Sequence, residues 1–438
     1  MSVIAELAMD SPVAIGGSPP HWLPLAAGDR LGDLARHYDE YPHPPYADHA
    51  PHRGVPPRDL LDLARYVLWP RRKVLADARV LDAGCGTGAQ LAAMGMRHPD
   101  VELWGVDVSA RSLDDAADRA RRCNVGSVHL RQLPVERVGE LGLEFDLVVL
   151  QGVLSASSDP RATLSAAASV VRPEGGILVS VAAPYGRLGA EGFRELVDLA
   201  RGGQPRAERL RFARKLRASR EWHSRLLEAV LDSREEDDAS LAELAVLDPP
   251  LRAYSVPELT GLLASAGLRI WRFHPRTPYE PERYLPAPHH GCLRAVPEVL
   301  RPAVAELLHS AMHTHCFFAV REGFEPERVD LDGEDWLDLQ PIANGLWDFA
   351  ASDGPVPEQA GRAGVATREF CGRCECIALT PWQRIALELC ESGTRVRDIL
   401  RSRRLRQELA GLGRGDYCEA VRSFLRRAAH DELVYLVG

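Results

Sequence analysis

Val80-Leu-Asp-Ala-Gly-Cys-Gly-Thr-Gly88 is the stretch on which the reading of this chain turns. Residues 79–82 are a short apolar run ending in an acid, and residues 89–98 have helical spacing. Gly84, Gly86 and Gly88 therefore fall in a strand-to-helix turn, where glycine lets the backbone bend tightly and approach a ligand closely. Alone, that spacing is also the spacing of a purely structural turn. What strengthens it is a second acid about 20 residues on, Gly105-Val-Asp107, at the end of the next apolar run; such an acid accepts hydrogen bonds from ribose hydroxyls.

Working outward, the pattern alternates strand and helix from residue 79 to residue 183. Strands are expected at 79–82, 101–107, 127–131, 145–150 and 176–182, with helices at 89–98, 112–123 and 160–171 between them. Strands separated by helices imply parallel units with right-handed crossovers, hence an α/β, doubly wound sheet. The order then breaks. Residues 191–247 are almost wholly helical in pattern and heavily charged, and residues 255–266 add a helix whose Ser255 and Glu258 are spaced as a capping box. Residues 268–274 and 313–321 read as a sixth and a seventh strand.

A dinucleotide enzyme would share the glycines and the ribose acid, so Asp82 is the discriminator. A carboxylate there attracts an ammonium group and repels a pyrophosphate. At this point the stretch resembles the class I S-adenosylmethionine-dependent methyltransferases, whose first motif is a strand ending in D/E-x-G-x-G-x-G. The resemblance continues through Asp107, through Leu133-Pro-Val135 where the family flanks the adenine, and through Phe145-Asp-Leu-Val-Val-Leu-Gln-Gly-Val-Leu154 and Arg172-Pro-Glu-Gly-Gly176. It implies a Rossmann-like seven-stranded core with S-adenosylmethionine as cofactor and S-adenosylhomocysteine as product. The cofactor contacts it implies are Asp82, Gly84, Cys85, Gly86, Gly88, Asp107, Val108, Leu133, Pro134 and Gln151. Many relatives carry two histidines after the Gly-Val-Leu segment; Ser155 and Ala156 stand there, which removes a histidine base at that spot.

Two further segments narrow the group. Tyr38-Asp-Glu-Tyr-Pro-His-Pro-Pro-Tyr46 is similar to the "YEENPYP" segment of bacterial type 12-like methyltransferases, as are Pro184-Tyr-Gly-Arg187 and Arg252-Ala-Tyr-Ser-Val-Pro-Glu-Leu259. Its prolines and aromatics predict a stiff, extended loop. Methyl transfer from a sulfonium is a direct displacement governed by alignment. Tyr38, His43, Tyr46 and Tyr185 are the candidate acceptor-side residues, His43 being the ready base near neutral pH; packing of the loop onto the core is the alternative for the tyrosines.

Other signals have plainer readings beside the functional ones. Residues 201–225 carry nine Arg or Lys against Glu208 and Glu221, and an acidic run, Glu235-Glu-Asp-Asp238, follows. A basic cap would select an anionic acceptor, but a solvated helix pair of opposite charge is the preferred reading. Cys371-x-x-Cys374-x-Cys376 lacks the second ligand pair of a structural zinc, and His313-x-His315-Cys316 reads as strand packing, so no metal is expected. Cys390 and Cys418 read as core residues.

The expected organisation is a flexible leader (1–30), a methyltransferase domain (31–322) with a helical cap at about 186–250, a linker (323–378), and a C-terminal module (379–438) of three helices and a β segment. That module resembles a winged helix. With 438 residues, 45% apolar and 26% charged, the composition is that of a globular protein, and the net charge of −9 argues against general nucleic-acid affinity. No apolar run suits a membrane span and the first residues lack the pattern of a signal peptide; with nine cysteines the expectation is the cytoplasm. The acceptor is expected to be a peptide, protein or secondary metabolite, with a homodimer left open. An RNA methyltransferase using the arginine-rich helices, and a cofactor-binding sensor with a regulatory module, are the alternatives.

Overall fold

The computed structural model describes residues 13–14, 30–44, 59–72, 75, 77–218, 238–247, 250–345, 347, 365–370 and 373–438. Tyr46, the 219–237 end of the charged segment, Cys371 and residues 1–12 and 15–29 of the leader lie outside the described residues. Seven strands form the main sheet: β1 (Arg79–Ala83), β2 (Glu102–Asp107), β3 (Val128–Gln132), β4 (Phe145–Gln151), β5 (Val171–Ala182), β6 (Leu268–Phe273) and β7 (Thr314–Arg321). Their order is β3-β2-β1-β4-β5-β7-β6, with β1 to β5 parallel and β7 antiparallel to both its neighbours. Val13–Ala14 pairs antiparallel with the outer edge of β3.

The strands read as unbroken apolar runs because both faces of the sheet are covered. Successive residues enter opposite cores: Leu81, Val148, Leu150, Ile177 and Val179 pack on one side, while Val80, Leu147, Val149 and Leu178 pack on the other. Helices α1 (Arg30–Glu40) and α2 (Leu60–Leu68) precede β1, and α3 (Ala89–Arg97) and α4 (Ala110–Arg122) follow β1 and β2. Leu61, Leu91 and Leu113 from α2 to α4 fill the second core. A short α5 (Val153–Ala156) and α6 (Pro160–Val170) follow β4, and Leu154 and Leu164 fill the first.

Pro42 decides one boundary. Tyr38, Asp39 and Glu40 close α1 instead of opening an extended loop, because a proline perturbs only the residue before it and those after. The aromatic segment is therefore split between a helix end and the turn that follows.

The cap is α7 (Leu188–Arg201), α8 (Arg206–Ala218) and α9 (Asp238–Val246), closed around Phe193, Val197, Leu210, Leu241 and Val246. Then α10 (Val256–Ala264) starts at the capping box expected for Ser255 and Glu258. After β6, a series of 3-10 turns leads to α11 (Arg301–His309) and β7.

The stretch read as a linker has core of its own. Strand β8 (Gln340–Ala343) lies within it, as do β9 (Val365–Phe370) and β10 (Arg373–Ala378), which form a hairpin. Beyond them come α12 (Pro381–Glu391), α13 (Val396–Ile399), α14 (Arg403–Glu408), α15 (Arg414–His430) and β11 (Val434–Val437), so the expected middle helix is two short ones. β11 pairs antiparallel with β8, and Leu331, Leu339 and Ala343 join Leu387, Val421 and Leu425 in one core. That core includes Cys390, and Cys418 packs against it.

The module is fastened to the domain of the main sheet. The Tyr435 ring stacks on Tyr66 at 5.3 Å, Val437 enters the second core, and Gly438 N–H donates to the Pro70 carbonyl at 2.9 Å.

Candidate functional site

The C-terminal ends of β1, β2, β4 and β5 and the loops after them open into a cavity of about 570 Å³, the end of a parallel sheet where ligands bind. Its floor is the glycine turn. Gly84 and Gly86 have φ of +86° and +50°, left-handed values that side chains rarely adopt. Gly84 N–H and Cys85 N–H donate to the Val106 carbonyl at 2.8 and 3.0 Å. A Cβ on Gly86 would strike the His43 carbonyl, so the 43–44 segment lies directly over the turn; Thr87 Oγ1, donating to the Pro44 carbonyl at 2.8 Å, holds it there.

Two carboxylates face this turn in different ways. Asp107 takes Gly86 N–H on one oxygen and Ser109 N–H on the other, each at 2.9 Å; burial pushes it up, those donors pull it down, and the net direction is up. Asp82 is 2% exposed, and among the described residues no hydrogen bond reaches its carboxylate. Burial, and then the charge of Asp107, push it up to about 7. A buried acid without a donor is costly unless a cation comes to it, so the site fits a ligand that brings an ammonium group beside Asp82. Burial also lifts the Cys85 thiol well above its usual range, followed by Asp107 and Asp82, which keeps it protonated and poorly nucleophilic.

The far wall is apolar, with Val108, Leu133 and Val135, and Gln151 stands at the end of β4. The roof comes from α1 and the cap: Leu31, Leu34 and Tyr38 face Glu243 of α9. Tyr38 Oη donates to Glu243 Oε1 at 2.7 Å; burial first, then the glutamate, raises the phenol well above its ordinary range. Tyr38 is therefore a neutral donor and cannot serve as a base. Beside it the buried His37, held down to about 4 by burial and then by Arg206, contacts that arginine of α8. Asp39 accepts from Ser109 Oγ at 2.6 Å, joining α1 to the start of α4.

Of the residues expected to contact the cofactor, Asp82, Gly84, Cys85, Gly86, Asp107, Val108, Leu133 and Gln151 line the cavity. Gly88 and Pro134 are not among its lining residues. Gly88 caps α3 at φ +73°, and an added Cβ would sit 2.7 Å from Ala116 Cβ, so its role is close helix packing. Gly88→Ala is expected to cost about 2 kcal/mol of stability in denaturant unfolding, from overpacking and the left-handed backbone together.

Of the acceptor-side candidates, Tyr38 and His43 line the cavity, and the buried His43 Nδ1 has no hydrogen-bond partner among the described residues. Tyr185 is not in the wall; it starts a 3-10 turn after β5. Sequence reasoning missed Glu243 and Glu136, which stand in charged segments where nothing local separates them from solvated glutamates.

The possible metal ligands have other employment. His315 is buried between Tyr279 Oη at 2.7 Å and Glu306 Oε1 at 3.0 Å, a structural chain behind β7. Asp59, Asp62 and His98 come together, but Arg97 already neutralises both carboxylates. Cys376 is exposed on β10.

A methyltransferase-domain family model matches residues 81–178, which run from β1 into β5. An uncharacterized protein of Synechococcus is 28% identical over 361 residues, 78% of this chain and 85% of that protein. The ubiquinone biosynthesis O-methyltransferase of Acinetobacter baylyi is 32% identical over 107 residues; the match spans 24% of this chain and 44% of that protein, less than half its length. Among solved structures, PKMT2 from Rickettsia typhi superposes with a TM-score of 0.61 at 16% identity, covering 92% of this chain and 75% of that one. Its complex with AdoHcy gives a TM-score of 0.62 at 14% identity, over 91% and 76%. The shared fold thus extends well beyond the matched segment, and no helix among the described residues is long and apolar enough to cross a membrane. With a cradle suited to an ammonium-bearing nucleoside at the end of this sheet, the chain is built around a class I S-adenosylmethionine-dependent methyltransferase domain.

Proposed function

We propose that this enzyme methylates an amine nitrogen carried by a peptide or protein, or by a secondary metabolite of the same amine character. The observation that carries the reading is the charge of the cavity. Asp82, Asp107, Glu136 and Glu243 line it, and among the described residues no lysine or arginine does. Such a wall repels the phosphates of RNA and attracts an amine in its ammonium form.

S-adenosylmethionine supplies an electrophilic methyl group on a sulfonium when it is bound. Asp82 would hold its ammonium group and Asp107 its ribose hydroxyls. Glu243, fixed by Tyr38, would orient the incoming amine through its second oxygen, and His43 would accept the proton the nitrogen must lose to attack. The apolar Leu31, Leu34 and Leu251 beside them keep water from competing. The arginines of the C-terminal module give the RNA alternative little help, because Arg397 pairs with Asp338, Arg401 with Asp398 and Arg404 with Glu388.

The test is to incubate the full chain with methyl-labelled S-adenosylmethionine and host extract, then separate protein, RNA and small molecules, with a parallel extract whose amines have been acetylated. Label is expected in the peptide and protein fraction and lost on acetylation. Label in RNA, or label indifferent to acetylation, contradicts the reading. Absence of turnover together with tight DNA binding would favour a sensor instead. With the acceptor so found, Glu243→Gln is expected to lower kcat/KM roughly 10- to 100-fold while leaving S-adenosylhomocysteine affinity within about threefold.

A further inference from the structure

We propose that Asp39 is a positioning residue through which an occupied cofactor site sets the acceptor side of the cavity. The inference rests on the cofactor reading of the site and goes beyond it, since neither the glycine turn nor the cap by itself links the two halves.

Helix α1 is tied on different sides to parts of the protein far apart in sequence. Toward the cofactor turn, Asp39 Oδ1 accepts from Ser109 Oγ at 2.6 Å and from Arg111 N–H at 3.1 Å. Just past the helix end, the Pro44 carbonyl accepts from Oγ1 of the fully buried Thr87. Toward the cap, Tyr38 reaches Glu243 of α9, His37 contacts Arg206 of α8, and Tyr41 packs on the cap core. Tyr38 and Asp39 are consecutive, about 100° apart around the helix, so a shift of α1 that loosens one bond moves the other.

The Asp39 bond is placed to respond to the cofactor. Ser109 caps α4, its hydroxyl accepting from Ser112 N–H at 3.0 Å, and Asp39 adds a charged acceptor at the positive end of that helix. The Ser109 N–H donates to Asp107 Oδ1 at 2.9 Å. One fully buried residue therefore holds Asp39 on its side chain and the ribose acid on its backbone.

The two acids also oppose each other. Burial is the main cause that lifts Asp107, and the charge of Asp39 adds to it. Ribose hydroxyls donating to Asp107 offset part of its charge, which weakens the repulsion and lets Asp39 bear more closely on Ser109. Helix α1 then settles, Tyr38 with it, and Glu243 is fixed for the incoming amine. By linkage, whatever holds Glu243 against Tyr38 strengthens cofactor binding by the same factor.

The experiment is amide hydrogen exchange of the full chain with and without saturating S-adenosylhomocysteine, read over residues 30–40, 84–91 and 238–246. In the wild type the ligand is expected to slow exchange by roughly tenfold or more in all three segments. In Asp39→Ala the slowing at 84–91 should persist, while at 30–40 and 238–246 it should fall to about threefold or less. Asp39→Asn keeps an acceptor for Ser109 Oγ and Arg111 N–H, and should bring it back to within about threefold of the wild type. Tyr38→Phe, which cuts the far end of the link, should keep the slowing at 30–40 and lose it at 238–246. Melting curves establish that each variant is folded. Undiminished slowing at 238–246 in Asp39→Ala and Tyr38→Phe, or none there in a wild type that binds the ligand, overturns the proposal and leaves the cofactor reading intact. A wild type that does not bind S-adenosylhomocysteine overturns both.

Discussion

Asp82→Asn sharply weakens cofactor binding while making the unliganded protein more stable at pH 8: that is the expected result, and the two effects share one cause. The Asp82 carboxyl is buried with no donor among the described residues and is pushed up to about 7 by burial and then by Asp107. A carboxyl whose folded value exceeds its unfolded value binds more protons when folded. Its contribution to stability is therefore full below about pH 4 and is lost as pH rises through about 7. At pH 8 the charge is an uncompensated cost, and the neutral amide relieves it by on the order of 2 kcal/mol, read as a higher melting temperature. The same substitution removes the counter-charge for the ligand's ammonium group, which should weaken S-adenosylhomocysteine binding by about 100-fold or more. A variant that binds normally would remove Asp82 from the site.

The second large effect is structural. Glu432 is 0% exposed at the end of α15, and its carboxylate gathers Arg272 at 3.1 Å, Arg276 N–H at 2.7 Å and Arg368 at 3.5 Å. These partners come from β6, the turn after it and β9, so one side chain joins the C-terminal module to the catalytic domain. Burial opposes its charge, but Arg272, His274, Arg368 and the Arg276 N–H outweigh burial and hold it below the usual carboxylate value. Glu432→Ala leaves Arg368, 3% exposed, without this counter-charge, and is expected to cost about 3–5 kcal/mol in denaturant unfolding. Cofactor affinity should change by less than about threefold, because none of these groups lines the cavity.

The junction should also be sensitive to acid. His274, buried, is held down to about 4, so its unfolded form binds the extra proton and stability falls as pH drops from 6.5 toward 4. Glu432, lowered as well, contributes stability above its ordinary 4.5 that is lost as pH falls through its folded value. The two add, and the expected outcome is a melting temperature that declines steadily below pH 6.5, with Glu432→Ala keeping the His274 decline and losing the carboxylate's further decline below its ordinary 4.5.

The cofactor half of the site was legible because its signals are local. An acid, three glycines and a second acid at the next strand end are read within 28 residues, and seven of the nine residues from Val80 to Gly88 are apolar or glycine, as a buried strand and turn require. Gly88 shows the limit: its letter matches the motif, while its environment is Ala116. The stretch 323–347 looked coreless because Pro, Gly and Asp residues interrupt it, and the strand that pairs with β8 lies about 90 residues downstream. Helix α1 ran further than expected because Tyr38 stands ahead of Pro42, outside the reach of its ring. Glu243 and Glu136 could not be singled out at all; only the tertiary arrangement turns them toward the cavity.

The central claim is that an unpartnered, proton-bearing Asp82 waits for the ammonium group of an S-adenosyl ligand. Its most direct test is calorimetric titration of the full chain with S-adenosylhomocysteine from pH 5.5 to 8.5 in buffers of differing ionisation enthalpy. Affinity is expected to rise through about pH 7 and then level off, with a proton released on binding near neutrality, because the ligand favours the ionised carboxylate. Binding that is absent, or that is flat with pH and releases no proton, would contradict the account.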